Sequence, residues 1–223
     1  MTASPGTTLD TRDMLVVHDS VRRQFGEAPS LVRGVAPGDT RRAALVADHL
    51  DLLGALLHHH HAGEDRLLWP VLQPRVPADV AATVARMESQ HDGIAEAQES
   101  VTAALTAWRV GAGEGDRETL ATALEALLAR ITEHLAAEEQ YILPLAAAHM
   151  TPAEWQRLGE DGIGSLPKQQ LPLVFGMLMD RADPEVIREM LSHAPLLPRL
   201  VMPRLAPRMY ARYARRLHGT TTP

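Results

Sequence analysis

The chain has 223 residues, 45% of them hydrophobic and 4% aromatic, with 22 basic against 28 acidic side chains for a net charge of −6. That is enough apolar material for one generous globular core, so disorder is excluded as the starting expectation, and the acidic balance argues against general nucleic-acid binding. There is no cysteine, which removes disulfides, thiolate metal sites, iron–sulfur clusters and cysteine nucleophiles and leaves nitrogen and oxygen as the only metal donors.

The residue choice is Ala, Leu and Arg with β-branched residues spread thinly, a composition that favours helix over sheet. In chain order, a first helix is expected from near Asp10 to Gly26, followed by a loop marked by Pro29, Gly34, Pro37 and Gly38. Asp39 is the N-cap expected for a second helix that runs to Trp69 and stops at Pro70. A third spans Ala78 to Val110, and a fourth Asp116 to His149 beyond a Gly111-to-Gly115 loop. Four long helices with short connections predict an all-α, antiparallel four-helix bundle over residues 10–150. From Thr151 the chain changes character. Thr151-Pro152-Ala153-Glu154 and Asp183-Pro184-Glu185 are two helix starts, and residues 151–223 are expected to form a C-terminal extension of short helices punctuated by prolines.

The fourth helix carries the clearest buried seam: Leu120, Leu124, Leu127, Ile131, His134, Glu138, Tyr141 and Leu145. The third reads Val84, Met87, His91, Ile94, Gln98, Val101, Leu105 and Trp108. The first places His18 between Met14, Val21 and Phe25, and the second leads through Leu45, His49, Leu52 and Leu56 to His60, Glu64, Leu67 and Val71. Each helix therefore points a histidine inward, where an unpartnered imidazole costs roughly 1–3 kcal/mol and an unpartnered carboxylate far more. A shared metal would satisfy them all.

An internal repeat strengthens this reading. His18-Asp19 is followed 42 residues later by His60, and His91-Asp92 is followed 43 residues later by His134. The second members match: His60-x-x-x-Glu64-Asp65 and His134-x-x-x-Glu138-Glu139, each with a proline ten residues after the histidine, Pro70 and Pro144. An i, i+4 pair lies on one helix face, so imidazole and carboxylate reach one point from a single helix. Two such halves supply four nitrogens and two carboxylates, an inventory for two metal ions of the iron or manganese kind.

On these residues the sequence resembles the hemerythrin-like, or HHE cation-binding, family over roughly residues 10–150. The resemblance implies a four-helix bundle around two non-haem iron ions, oxo- or hydroxo-bridged, held by His18, His60, Glu64, His91, His134 and Glu138. It implies a protein that binds or senses dioxygen, nitric oxide or peroxide; the alternative is a di-iron enzyme, with peroxide disproportionation ahead of oxygenation. Oxygen-carrying members have a second histidine four residues after the one in the third helix, where this chain has Ala95, and an aspartate five residues after the last histidine, where it has Glu139. That favours redox chemistry or sensing over reversible oxygen carriage.

Other residues have weaker claims. Within His58-His59-His60-His61, His60 is preferred for its partner Glu64, and His61 with Asp65 is the alternative register. Glu139 is expected to support a ligand from outside, and Tyr141 either fills the core or meets the iron or a ligand with its phenol. His49 lies three turns before His60, roughly 16 Å away, and is expected in the core or as a support for the centre. After Glu189 no acidic residue occurs while Arg199, Arg204, Arg208, Arg212, Arg215 and Arg216 accumulate among leucines. Such a basic amphipathic end suits a membrane surface or an acidic partner, but against an acidic remainder it is expected to pack its apolar side on the bundle or to join two copies as a homodimer. With no apolar leader and no long uncharged stretch, the chain is expected to be cytoplasmic and to have no integral membrane segment.

Overall fold

The computed structural model describes residues 9–219, and among them every regular element is helical. Helix α1 (Arg12–Arg33) runs through Gly26 and Pro29, seven residues beyond its expected end. Proline costs the helix a hydrogen bond, but Phe25, Ala28, Pro29 and Val32 are all buried, and that packing outweighs the local penalty of about 3 kcal/mol. Asp39 caps α2 (Thr40–Leu67) as expected, its carboxylate accepting from the Arg42 amide. A break at Leu68 admits Pro70 at the start of the single turn α3 (Trp69–Leu72). Next come α4 (Ala78–Gly111), which turns at Ala112 in the left-handed region, and α5 (Glu114–Ala137).

The fourth predicted helix is not uniform. After α5 the chain makes a π-helical turn, Glu138–Ile142, before α6 (Leu143–His149). The wider turn uses one extra residue, so the buried seam passes to Ile142 and Ala146 instead of Tyr141 and Leu145. Tyr141 is 47% exposed, which corrects its expected place in the core or at a metal.

Helix α4 packs on α5, α1 on α5 and α2, and α2 on α4. One apolar cluster includes Phe25, Leu57, Ile94 and Ile131; a second includes Met14, Leu68, Met87 and Ile142. Each of these helical paths goes from one cluster to the other, and the residues it carries in between are His18, His60–Glu64, His91 and His134–Glu138. The titratable residues thus form a polar layer between two apolar ones.

The rest of the chain closes over the outer faces of α1 and α2. Helix α7 (Pro152–Gly164) begins with the expected Thr151/Glu154 capping box, and Trp155 Nε1 donates to the Asp13 carboxylate. Helix α8 (Leu171–Met179) ends beneath α1, where Arg23 and Ser20 both donate to the Met177 carbonyl. Helix α9 (Pro184–Ser192) presents Val186, Ile187 and Leu191 to Val16. Helix α10 (Leu196–His218) is a single helix of 23 residues through Pro203 and Pro207, longer than the short helices expected. Gly176 lets α8 approach it: a Cβ there would touch the Ala206 carbonyl and lie 2.7 Å from the Tyr210 Cβ. Leu217 reaches the main core, and Arg42 donates to the last carbonyls of α10, Arg216 and Leu217.

His49 belongs to this contact and not to the histidine layer. It is fully buried, with Nδ1 3.0 Å from the Tyr213 hydroxyl and Nε2 without a partner. Burial, aided by His218, lowers its pKa from 6.5 to about 3. Between those values the unfolded chain binds a proton that the folded chain refuses, so stability falls as the pH drops through the window, by about 2 kcal/mol at pH 5 from this residue. His49→Gln should lose that share of the acid sensitivity while keeping a partner for Tyr213. Urea melts of both proteins at pH 7 and pH 5 check it, and parallel losses in the two would refute it.

Candidate metal centre

Two groups of side chains converge in the polar layer. One is His18, His60, Glu64 and Glu138; the other is His61, Glu64, His91 and His134; within each, one ligand atom per residue lies within 4.8 Å of all the others. Glu64 belongs to both. Its Oε1 lies 3.2 Å from His60 Nε2 and its Oε2 3.4 Å from His91 Nε2. Glu138 Oε2 lies 3.3 Å from His18 Nε2 and 3.7 Å from His134 Nε2. The Nε2 atoms of His91 and His134 face each other at 3.2 Å, and the His61 ring stacks on His91 with centroids 4.3 Å apart.

All six sequence-predicted residues are therefore brought together, and His61 joins them. The sequence reading set His60 against His61 as alternative registers, but the structure places both at the centre. Helix geometry explains why. Successive residues differ by about 100°, so His60 and His61 face two different points, while Glu64 falls about 40° from one and about 60° from the other, between them. One turn of α2 thereby serves both groups.

The centre is enclosed. His18, Glu64, His134 and Glu138 are wholly inaccessible, and His61 and His91 are 7% exposed. Among the described residues thirteen buried side-chain nitrogen and oxygen atoms lack a hydrogen-bond partner, and seven of them are here: Nε2 of His18, His60 and His61 and all four oxygens of Glu64 and Glu138. Burying polar atoms this way costs a few kcal/mol for each neutral group and more for a carboxylate. Their concentration at one point, with lone pairs turned inward, is the chemistry of a cation site.

The charges agree. Burial and the charge of Glu138 push the pKa of Glu64 up. Burial opposes a charged imidazole at His18, yet the adjoining Glu138 carboxylate outweighs it and lifts the pKa to about 9; Glu138 is in turn held low by His18 in spite of its burial. Burial drives His60 to about 3 and His134 to about 4, keeping both in the neutral form that binds metals.

Around the centre, three of the histidines are held by their outer nitrogens. His18 Nδ1 is 2.9 Å from Glu139, which also accepts from Arg22 at 2.7 Å. His91 Nδ1 is 2.7 Å from Asp65, which accepts from Trp69 Nε1, and His134 Nδ1 is 3.1 Å from the Gln90 side-chain oxygen. Acceptors at all three Nδ1 atoms hold a hydrogen there, so that each ring in its neutral form presents Nε2 inward. Glu139 lies five residues after His134, at the start of the π-helical turn, and meets His18 from outside the ring of inward-facing atoms. Sequence spacing alone identified neither the Asp65–His91 nor the Gln90–His134 contact, because each joins two helices.

Comparison with known proteins gives one finding: the profile of the hemerythrin HHE cation binding domain matches residues 9–146. No curated protein and no solved structure matches the chain.

Proposed function

The chain belongs to the hemerythrin HHE cation-binding domain family, and from that premise we propose that it is a non-haem di-iron protein that binds or senses dioxygen, nitric oxide or peroxide. In this reading residues 10–150 form an antiparallel four-helix bundle, the C-terminal extension from residue 151, described as far as residue 219, buttresses it, and the protein works in the cytoplasm. The observation that carries it is the pair of buried glutamates whose four oxygens have no hydrogen-bond partner, each within reach of imidazole nitrogens.

His18, His60 and Glu138 would hold one ion, His61, His91 and His134 the other, with Glu64 common to both. Nitrogen and carboxylate donors in this proportion suit iron, which when bound supplies a redox couple and free coordination positions for a small ligand. The chain's own part is to fix that site. Glu139, Asp65 and Gln90 hold the outer nitrogens of His18, His91 and His134 and so set their tautomers, with an apolar layer on either side of the centre.

Iron reconstitution with metal analysis tests the proposal directly. The protein should saturate at two ions per chain; saturation at one, or no uptake, would refute the di-iron centre. Hydrogen peroxide added to the loaded protein then separates the roles. A stoichiometric spectral change supports sensing or binding, and sustained turnover assigns an enzyme instead.

The outer contacts give a finer test. Glu139→Ala removes the acceptor of His18 without removing a ligand, so metal affinity should fall about tenfold with the stoichiometry unchanged. Competition against a chelator measures it. Loss of one whole ion would make Glu139 itself a ligand.

A further inference from the structure

Helix α10 buries one side and leaves the other bare. Ala206, Tyr210, Ala214 and Leu217 pack inward, while Leu196 and Leu197 are each 72% exposed, Leu200 58%, Val201 42% and Leu205 38%. Monomeric proteins rarely leave so many contiguous apolar side chains in water without a use for them. The same bare side continues as a row of arginines. On an ideal helix Leu197, Val201, Arg204, Arg208 and Arg215 fall within an arc of about 60°. Arg199, Arg204, Arg208 and Arg212 are exposed and have no ion-pair partner among the described residues, and no acidic residue follows Glu189.

We propose that this face of α10 docks on an anionic lipid surface, the leucines at its N-terminal end entering the acyl boundary and the arginines lying on lipid phosphates. Three features favour that occupant. The charge is complementary to acidic headgroups, and guanidinium groups bind phosphate oxygens in pairs. Apolar and basic residues follow one another along a single exposed ridge, which suits a continuous surface more than a groove. A second copy meeting the same face across a two-fold axis would bring one arginine row toward the other with no carboxylate from this segment between them. No described helix is long and apolar enough to cross a membrane, so the contact is peripheral.

Vesicle sedimentation of the full chain tests it. The protein should pellet with vesicles of phosphatidylcholine containing roughly 30% phosphatidylglycerol, stay in solution with phosphatidylcholine alone, and be largely released near 1 M salt. Arg204→Gln with Arg208→Gln should lower partitioning on the order of tenfold, at about fivefold per arginine or somewhat less. Leu197→Ser with Leu200→Ser should lower it comparably. All four side chains are exposed, and iron content and circular dichroism should not change. Equal binding to neutral vesicles, no binding to anionic ones, or wild-type partitioning in both variants would overturn the proposal. So would a dimer in sedimentation equilibrium that the leucine variant dissolves, since that would give the face to a second copy.

Discussion

Glu64→Ala should leave the purified protein with almost no iron, the largest loss from any single substitution at the centre. Glu64 is the one residue common to the two groups of candidate ligands, so with two ions bound as proposed its removal would take a donor from each position and leave Glu138 as the one carboxylate beside two dications. Glu138 belongs to one group and only approaches His134 of the other, at 3.7 Å, so Glu138→Ala should instead cost the ion held with His18 and His60 and leave about one per chain. Misfolding would mimic the first result, but the sign of the stability change separates them. In the metal-free protein Glu64 is a buried carboxylate with neither oxygen hydrogen-bonded, so its removal should leave that form no less stable and raise its unfolding free energy by as much as about 1–3 kcal/mol. Metal analysis and urea melts of the metal-free forms check both parts. An alanine variant that keeps its iron, or whose metal-free form is weakened, would show that Glu64 is a structural residue.

Much of this centre was legible in the sequence because its signals were local. The seam of α4, from Val84 through His91 to Trp108, is buried as the spacing predicts, apart from the half-buried Gln98. The two His-x-x-x-Glu pairs each lie within one turn of helix, and an i, i+4 relation survives any arrangement of neighbours. His61 was harder to place because the reading treated one helix face as the whole site. In α2 the buried stripe is Leu53, Leu57, His61 and Glu64, leading to Leu68 at the break, and its first three members are one residue displaced from the expected Leu52, Leu56 and His60. Both stripes touch the core, since a helix that contributes side chains to two converging groups needs a broad inner face.

What stayed hidden is tertiary. No propensity marks the π-helical turn at Glu138, where the seam moves to Ile142, Tyr141 turns to solvent and Glu139 stays close to His18. Nothing local shows that Pro29 continues a helix, or that Pro203 and Pro207 sit inside one; burial on both sides of α1 and the α8 crossing at Gly176 decide those cases. The composition of the basic end suits a membrane surface or an acidic partner as well as the expected packing on the bundle or on a second copy. Its inner side does pack on the helices beside it, and its outer side is left for another occupant.

Ending the chain after His149 should give an insoluble or aggregating protein, not a smaller working bundle. Helix α1 is buried on two sides: Met14, His18 and Phe25 face the other three long helices, while Val16, Ser20 and Gln24 face residues that the truncation removes. The cut would uncover Val16, strip Trp155 and Leu158 from the cluster around Met14, Leu68 and Trp69, and take Leu217 from the main core. It would also leave buried His49 without Tyr213 and Gln24 without the Tyr210 hydroxyl. Each apolar side chain newly exposed costs about 1.5–3 kcal/mol, so a handful of them is comparable to the 5–15 kcal/mol that holds a typical domain together. Among the described residues neither group of candidate ligands extends beyond Glu138, so ligand loss would not explain the failure. Expression of the truncated chain with light scattering and a thermal melt provides the measurement. A soluble, monomeric product as stable as the full chain would mean that residues 150–223 contribute nothing to the core, and would leave the lipid-facing surface of α10 as their only supported role.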